Sequence, residues 1–393
     1  MTELEQKVLD QITEAEVVAL LQEITRINTV NPPGNEAALA QVLKAKLDQE
    51  GIPAELQYVT ENRANLIATL AGTGTGPTLL YNAHMDTVPV GDRANWKVDP
   101  FAGEIIDGKI YGRGVADDKQ GVAAMIMAAI ALKRAKVPLK GTLLVTPVMG
   151  EETGNIGTLH LLENGLQADM AVVGEWSSHR KIALGYRGSL WFKLKTYGKT
   201  AHGSRPSFGI NAIDHMTELV LPHLKSLTFD YEPTEIFLIN YPTLSVNVIS
   251  GGVKTNVVPD YCEVEVDMRL VPGQKPAEVE AQIRAALKDL EKLHPDLHVE
   301  MEVFEQSFPF QTPVDSELVQ VLTQAVTDVT GEAPEYMGKT GCSDANPLSA
   351  AGIPVVAFGP GNPSGHEPNE WVEIADLVKV TEILALHALR ICG

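Results

Sequence analysis

Histidines and carboxylates fall in short clusters along this chain, and each cluster follows a run of apolar residues. His84-Met85-Asp86 comes after Thr78–Tyr81, Glu151-Glu152 after Thr142–Val148, Glu175 after Met170–Val173, and His366 after Val355–Phe358 and a glycine-rich loop. Asp117 sits in Gly112-Arg113-Gly114-Val115-Ala116-Asp117-Asp118-Lys119, whose glycines permit close backbone approach before a helix starting near Gln120. Two imidazoles, several carboxylates and no thiolate make a hard-to-borderline ligand set. Such a set suits zinc best and also cobalt or manganese. Five ligands exceed what one open catalytic zinc uses, so they point to two divalent metal ions about 3.5–4 Å apart that share a carboxylate.

The spacing within the clusters adds roles. Residues i and i+2 of an extended segment project to the same side, so Asp86 can hold the second imidazole nitrogen of His84 and fix its tautomer. Neighbours in an extended segment point oppositely. One of Glu151 and Glu152 can therefore bind a cation while the other stays free to carry a proton.

The elements that must position these groups are also visible. Asn65–Leu70, Thr78–Tyr81, Thr142–Val148, Met170–Val173 and Val355–Phe358 are apolar without alternation, the pattern of strands covered on both faces. A helical pattern at Asn35–Gly51, with Asn35 as its N-cap, precedes them, and further helical patterns are interleaved. The fold class is therefore α/β, with a mostly parallel sheet and helices on both faces. In such a sheet the ligand crevice lies outside the carboxyl ends of the strands, which is where the clusters fall.

The middle of the chain changes period. It reads as strand Ser189–Tyr197, helix Gly209–Leu227, strand Leu244–Ile249, strand Tyr261–Leu270, helix Lys275–Leu293 and strand His298–Phe304. Strict apolar–polar alternation in Tyr261–Leu270 and His298–Phe304 means one wet face. The order β-α-β-β-α-β is ferredoxin-like. It predicts an inserted domain over residues 183–305 inside a discontinuous metal-binding domain formed by 1–182 and 306–393.

Composition bounds the function. Lys+Arg 31 against Asp+Glu 51 gives a net charge of −20, a field that repels nucleic acid and anionic membranes while a local arginine can still bind a small anion. The cysteines Cys262, Cys342 and Cys392 suggest neither a disulfide framework nor a thiolate metal site. With an acidic, polar start and no apolar run long enough to span a bilayer, a cytoplasmic protein is expected. Gly72-Thr73-Gly74-Thr75-Gly76 imitates a phosphate loop but precedes a strand instead of opening a helix. His160, His215, His223 and His387 lie in helical patterns and read as packing residues.

Taken together, His84-Met85-Asp86-Thr87-Val88-Pro89, Gly112-Arg113-Gly114 with Asp117, Gly150-Glu151-Glu152, Gly174-Glu175 and Gly365-His366 resemble the M20 family of dizinc metallohydrolases. That family includes acetylornithine deacetylase, succinyl-diaminopimelate desuccinylase, glutamate carboxypeptidases and aminoacylases. The resemblance implies that Asp117 bridges both ions, with His84 and Glu175 completing one site and Glu152 and His366 the other. It implies Glu151 as general base and Asp86 as the partner of His84. In Gly198-Lys199-Thr200-Ala201-His202-Gly203 it implies that His202 stabilises the oxyanion, usually at the site of the partner subunit, so a homodimer through the inserted domain is expected. Arg187, Asn256 and Arg269 resemble positions that clamp a substrate carboxylate, and Ser343 lies in a turn, Gly341–Ala345, that looks like a substrate-lining one.

The implied activity is hydrolysis of a small N-acyl amino acid by a metal-activated water. A carboxypeptidase or dipeptidase acting on short peptides is the alternative, and a non-catalytic metal-binding homologue the distant one. A glutamate at position 175, where some relatives have aspartate, resembles the deacylase and carboxypeptidase branches.

Overall fold

The computed structural model describes residues 1–393 and divides them into two compact units. Unit 1 comprises Met1–Gly185, Thr312–Gly338 and Ser343–Gly393; unit 2 comprises Tyr186–Gln311 and Lys339–Cys342. The sequence placed the breaks at 182/183 and 305/306.

The sheet of unit 1 runs Ala54–Thr60, Arg63–Leu70, Thr142–Val148, Thr78–His84, Met170–Trp176, Val355–Gly359, Lys181–Tyr186 in spatial order. Its four central strands, from Thr142–Val148 to Val355–Gly359, are mutually parallel, and antiparallel strands flank them. Every residue of Val355–Gly359 is buried, as are all but the first of Thr78–His84, so both faces of the sheet are covered. One cover is the helix Lys119–Arg134. It is rich in Ala, Met and Ile all round, and every residue from Lys119 to Leu132 is buried. The helix Ile374–Cys392 packs against it.

The helix expected at Asn35–Gly51 spans Glu36–Gln49, and Asn35 makes no side-chain cap bond there. The residue after it carries the local chemistry instead: Glu36, fully buried, pairs with Arg63 at 2.6 Å. A small sheet of Trp371–Glu373, Lys109–Tyr111 and Glu104–Ile106 was not anticipated. Its strands have only three residues each, too few to show a period.

Unit 2 has a four-stranded antiparallel sheet in the order Thr243–Gly251, Tyr261–Leu270, Gly188–Tyr197, His298–Ser307. Buried residues alternate along Tyr261–Leu270 and form one core with Val279, Ile283, Leu287 and Leu290 of the helix Pro276–Leu293. The first helix of this unit is not the single run expected from Gly209. It begins at Ala212, capped by Asn211 Oδ1, which accepts from the N–H groups of Ile213 and Asp214, and it widens into a π-turn over His215–Val220. Pro222 follows, and it has no N–H to offer the carbonyl four residues earlier, so regular α pairing is interrupted there.

Candidate metal centre

The parallel strands deliver the site at their carboxyl ends. Thr78–His84 ends in His84, Met170–Trp176 carries Glu175 near its end, and Thr142–Val148 leads through Met149 and Gly150 into a single 3-10 turn, Glu151–Thr153. Asp117 precedes the helix Lys119–Arg134, and His366 lies in the loop after Val355–Gly359.

These side chains converge within unit 1. His84 Nε2 is 3.1 Å from Asp117 Oδ1 and 4.0 Å from Glu175 Oε1. His366 Nε2 is 3.3 Å from Asp117 Oδ2 and 3.1 Å from Glu152 Oε1. Asp117 thus turns one oxygen to each of two imidazole–carboxylate sets. The ligand atoms of His84, Asp117 and Glu152 also lie within 4.8 Å of one another. Space is reserved for this arrangement, since a Cβ on Gly365 would stand 2.9 Å from Asp117 Oδ2.

The His84 ring is fixed from behind, though by a different atom from the one anticipated. Its Nδ1 meets the backbone carbonyl of Asp86 at 2.9 Å, while the Asp86 carboxylate is 3.6 Å away. That carboxylate is turned to the next cluster. Oδ1 accepts from Glu151 N at 3.1 Å, and Oδ2 accepts from Glu152 N at 3.2 Å and from Asn31 Nδ2 at 2.8 Å. Asp86 therefore seats the turn that presents both glutamates. Burial opposes its ionisation, yet His84, Asn31 and the Glu151 amide together hold it below the usual carboxylate range.

The field of the site calls for cations. Hydrogen bonds to Asp117 and Glu152 lift His366 to about 10, and Asp117 and Asp86 lift His84 well above the usual imidazole range even though burial opposes it. Asp117 is held far below the carboxylate range by His366 and His84 against the cost of burial. Imidazoles that hold protons so firmly stand where divalent cations would release those protons and supply the positive charge themselves. Donor types, the divided Asp117 carboxylate and this field fit a pair of divalent cations held by His84, Asp117 and Glu175 on one side and Glu152, Asp117 and His366 on the other.

Glu151 stands beside this set without belonging to it. Burial raises its carboxyl well above the usual range, and Glu175, Asp344 and Glu152 add to the effect against the opposing charge of His84. Its Oε1 accepts weakly from Asn155 Nδ2 at 3.4 Å, and the same amide donates to Asp344 Oδ1 at 3.1 Å. Asp344, pushed up to about 6 by burial, was not singled out in the sequence, although its neighbour Ser343 was. Ser343 is buried, and its hydroxyl accepts at 3.2 Å from the N–H of Ala345, the first residue of the helix Ala345–Ala350. Glu370 and Arg113 were also passed over. The signals were the proximity of Glu370 to His366 in His366-Glu367-Pro368-Asn369-Glu370 and the place of Arg113 between two glycines in Gly112-Arg113-Gly114, just before Asp117.

The other anticipated residues belong to unit 2. His202 is partnered through Nδ1 with Ser204 Oγ at 2.8 Å, and Asn256 is an exposed turn residue whose carbonyl accepts from Gly203 N at 2.8 Å. Arg187 is only 2% exposed, and its Nη2 donates to the carbonyls of Tyr241 and Arg269 and to Thr243 Oγ1. Arg269 pairs with Asp267 at 2.8 Å and lies over the Trp191 ring.

A mostly parallel α/β sheet with a cluster of imidazoles and carboxylates suited to cations at its carboxyl edge, and Glu151 beside that cluster, is the architecture of a metal-dependent hydrolase. The chain belongs to peptidase family M20/M25/M40, whose model matches residues 80–390, and it is a metallohydrolase acting on amide bonds. It is 30% identical to N-formyl-4-amino-5-aminomethyl-2-methylpyrimidine deformylase of Halalkalibacterium halodurans, over 96% of this chain and 94% of that one. It is 29% identical to acetylornithine deacetylase of Myxococcus xanthus, over 95% of this chain and 97% of that one. Among solved structures, aminopeptidase PepT of Bacillus cereus superposes with a TM-score of 0.81 at 25% identity, covering 97% of this chain and 99% of that one. No helix is long and apolar enough to cross a membrane.

Proposed function

We propose that the protein removes the acyl group from a small N-acyl amino acid, in the manner of an acetylornithine deacetylase or succinyl-diaminopimelate desuccinylase. The observation that carries the chemistry is the division of Asp117 between two imidazole–carboxylate sets with Glu151 left out of both. The acyl preference is supported by full-length relatives that are a deformylase and a deacetylase.

Two divalent cations held by these residues, zinc first with cobalt or manganese also suited, would acidify a water and polarise the amide carbonyl. Glu151 is placed to take a proton from the attacking water and return it to the departing nitrogen. Asp86 holds the backbone of Glu151 and Glu152 while this happens. We assign the oxyanion donor to His202, from its own chain or from a second copy. Substrate contacts are assigned to Arg187, Asn256, Arg269 and Ser343, with the side chains of Arg187 and Arg269 released from internal partners when a carboxylate arrives.

The reading includes a homodimer through unit 2. Its edge strand Thr243–Gly251 leaves Val248 and Ile249 about half exposed, and such an edge accepts a further strand. It also includes a cytoplasmic location, in keeping with three unpaired cysteines. The likeness to an aminopeptidase structure favours a second reading, cleavage of short peptides at the same centre.

The test is a hydrolysis screen of N-acetyl, N-succinyl and N-formyl amino acids beside di- and tripeptides, on chelator-stripped protein reconstituted with zinc, cobalt or manganese. Metal-restored release of an acyl group supports the proposal. Turnover of peptides alone replaces it with the second reading.

A further inference from the structure

Behind Asp117 and His366 lies a buried ion pair that touches the backbone of both. Arg113 is 2% exposed and Glu370 is fully buried, with Arg113 Nη1 2.5 Å from Glu370 Oε2. The same oxygen accepts from Gly114 N at 3.1 Å, while Glu370 Oε1 accepts from Ala116 N at 2.7 Å and from Asp117 N at 3.1 Å. Glu370 therefore takes three backbone N–H groups of the turn that ends in the shared carboxylate. On the other side, Arg113 Nη2 donates to the backbone carbonyl of His366 at 3.3 Å and to that of Pro89 at 3.4 Å. The guanidinium also lies over the Trp96 ring, 5.2 Å from its centroid. A planar fork with fixed donors is suited to spanning two such partners.

Beyond the Asp117 that both share, the two halves of the metal centre depend on this pair unequally. His84 ends a central strand, its backbone N donates to Asp118 Oδ2 at 3.3 Å and its ring is held by the Asp86 carbonyl, none of which involves the pair. His366 has no such frame. It sits in a loop with its backbone at φ 71, a left-handed conformation uncommon for a residue with a side chain, and its side chain is 53% exposed. Its carbonyl bond to Arg113 ties that loop to the Asp117 turn.

We propose that Arg113 and Glu370 act as one positioning pair that fixes His366 against Asp117 and so sets the affinity of the cation held by Glu152, Asp117 and His366. The inference rests on the two-cation reading, and its test separates the two. Groups that orient ligands from behind typically change metal affinity 10–100-fold when altered.

The experiment titrates chelator-stripped full-length protein with cobalt, followed by calorimetry and by the visible absorption of the bound ion, with thermal melting of each variant as the folding control. Wild type takes up two ions. Glu370→Gln keeps the size but presents an amide donor where acceptors are needed, and Arg113→Lys keeps the charge but loses the fork. Each variant is expected to bind one ion with near wild-type affinity and the second at least tenfold more weakly, approaching the one-ion behaviour of His366→Ala. Two ions bound at wild-type affinity in either folded variant would overturn the proposal and leave the two-cation centre standing. Equal weakening of both ions would also overturn it, as a general structural effect. A single ion in wild type would overturn the two-cation reading and the proposal with it. Because the two variants break opposite ends of the pair, either one that folds decides the matter.

Discussion

At the scale of single residues, the proposed division between ligand and proton carrier rests on where each carboxylate points. Glu152 reaches His366, whereas its neighbour Glu151 faces Asn155 and a crowd of acids. Replacing Glu151 by Gln removes the proton carrier but none of the proposed ligands. Turnover is expected to fall by about 10²–10⁴-fold, the usual worth of a positioned general base, with metal content by elemental analysis unchanged. Normal turnover in that variant would show that the proton is carried elsewhere. Much of this site was legible because ligand chemistry restricts residue types, so each His, Asp or Glu just beyond an apolar run stood out. Asp344 did not stand out, because its link to Glu151 runs through Asn155, 189 residues away in sequence, and follows no spacing rule. The role of Asp86 was half legible. Alternation put it on the His84 side, but periodicity does not say whether carbonyl or carboxylate meets the ring.

At the scale of elements, the site depends on how closely the helix Lys119–Arg134 approaches the strands beneath it. Gly174, next to Glu175, marks one point of close approach. A Cβ there would lie 2.9 Å from Ala83 Cβ, 3.0 Å from Gly121 Cα and 3.1 Å from Asp118 Oδ2. The first two are packed atoms that cannot swing aside, so Gly174→Ala must push the helix from the sheet. Overpacking of this kind costs about 1–3 kcal/mol, and a melting temperature several degrees below wild type is expected in a thermal scan. An unchanged melt would mean the helix has room to move. The central strands were legible because burial on both faces selects mostly apolar residues. The antiparallel strands Ala54–Thr60 and Lys181–Tyr186 were less so: Ala54–Thr60 is largely half-exposed with mixed residues, and Lys181–Tyr186 has a Gly near its end. Packing partners distant in sequence, which periodicity does not register, decide such strands.

At the scale of the whole molecule, the change from unbroken apolar runs to strict alternation announced a second compact unit, because a sheet with one wet face needs a different pattern from one covered twice. What the pattern did not announce is how the interior of unit 1 stores sensitivity to acid. His387, on the C-terminal helix, is fully buried with Nδ1 2.9 Å from the Tyr81 hydroxyl, its ring stacked on that of Tyr81. Burial lowers its pKa to about 3, against about 6.5 for an imidazole in an unfolded chain. Between those values the unfolded state binds a proton that the folded state does not. Stability therefore rises with pH across this window and is lost as pH falls from about 6.5 toward 3, at up to about 1.4 kcal/mol per pH unit from this one group. In His387→Gln the side chain cannot titrate. Urea unfolding at pH 7 and pH 5 is expected to show wild type losing about 2 kcal/mol more than the variant between the two, whatever the variant's stability at pH 7. The comparison cancels the metal ligands, which titrate in both proteins. Identical losses would mean that the folded interior admits a charged imidazole at position 387 and that the acid limit of this fold lies at the metal centre instead.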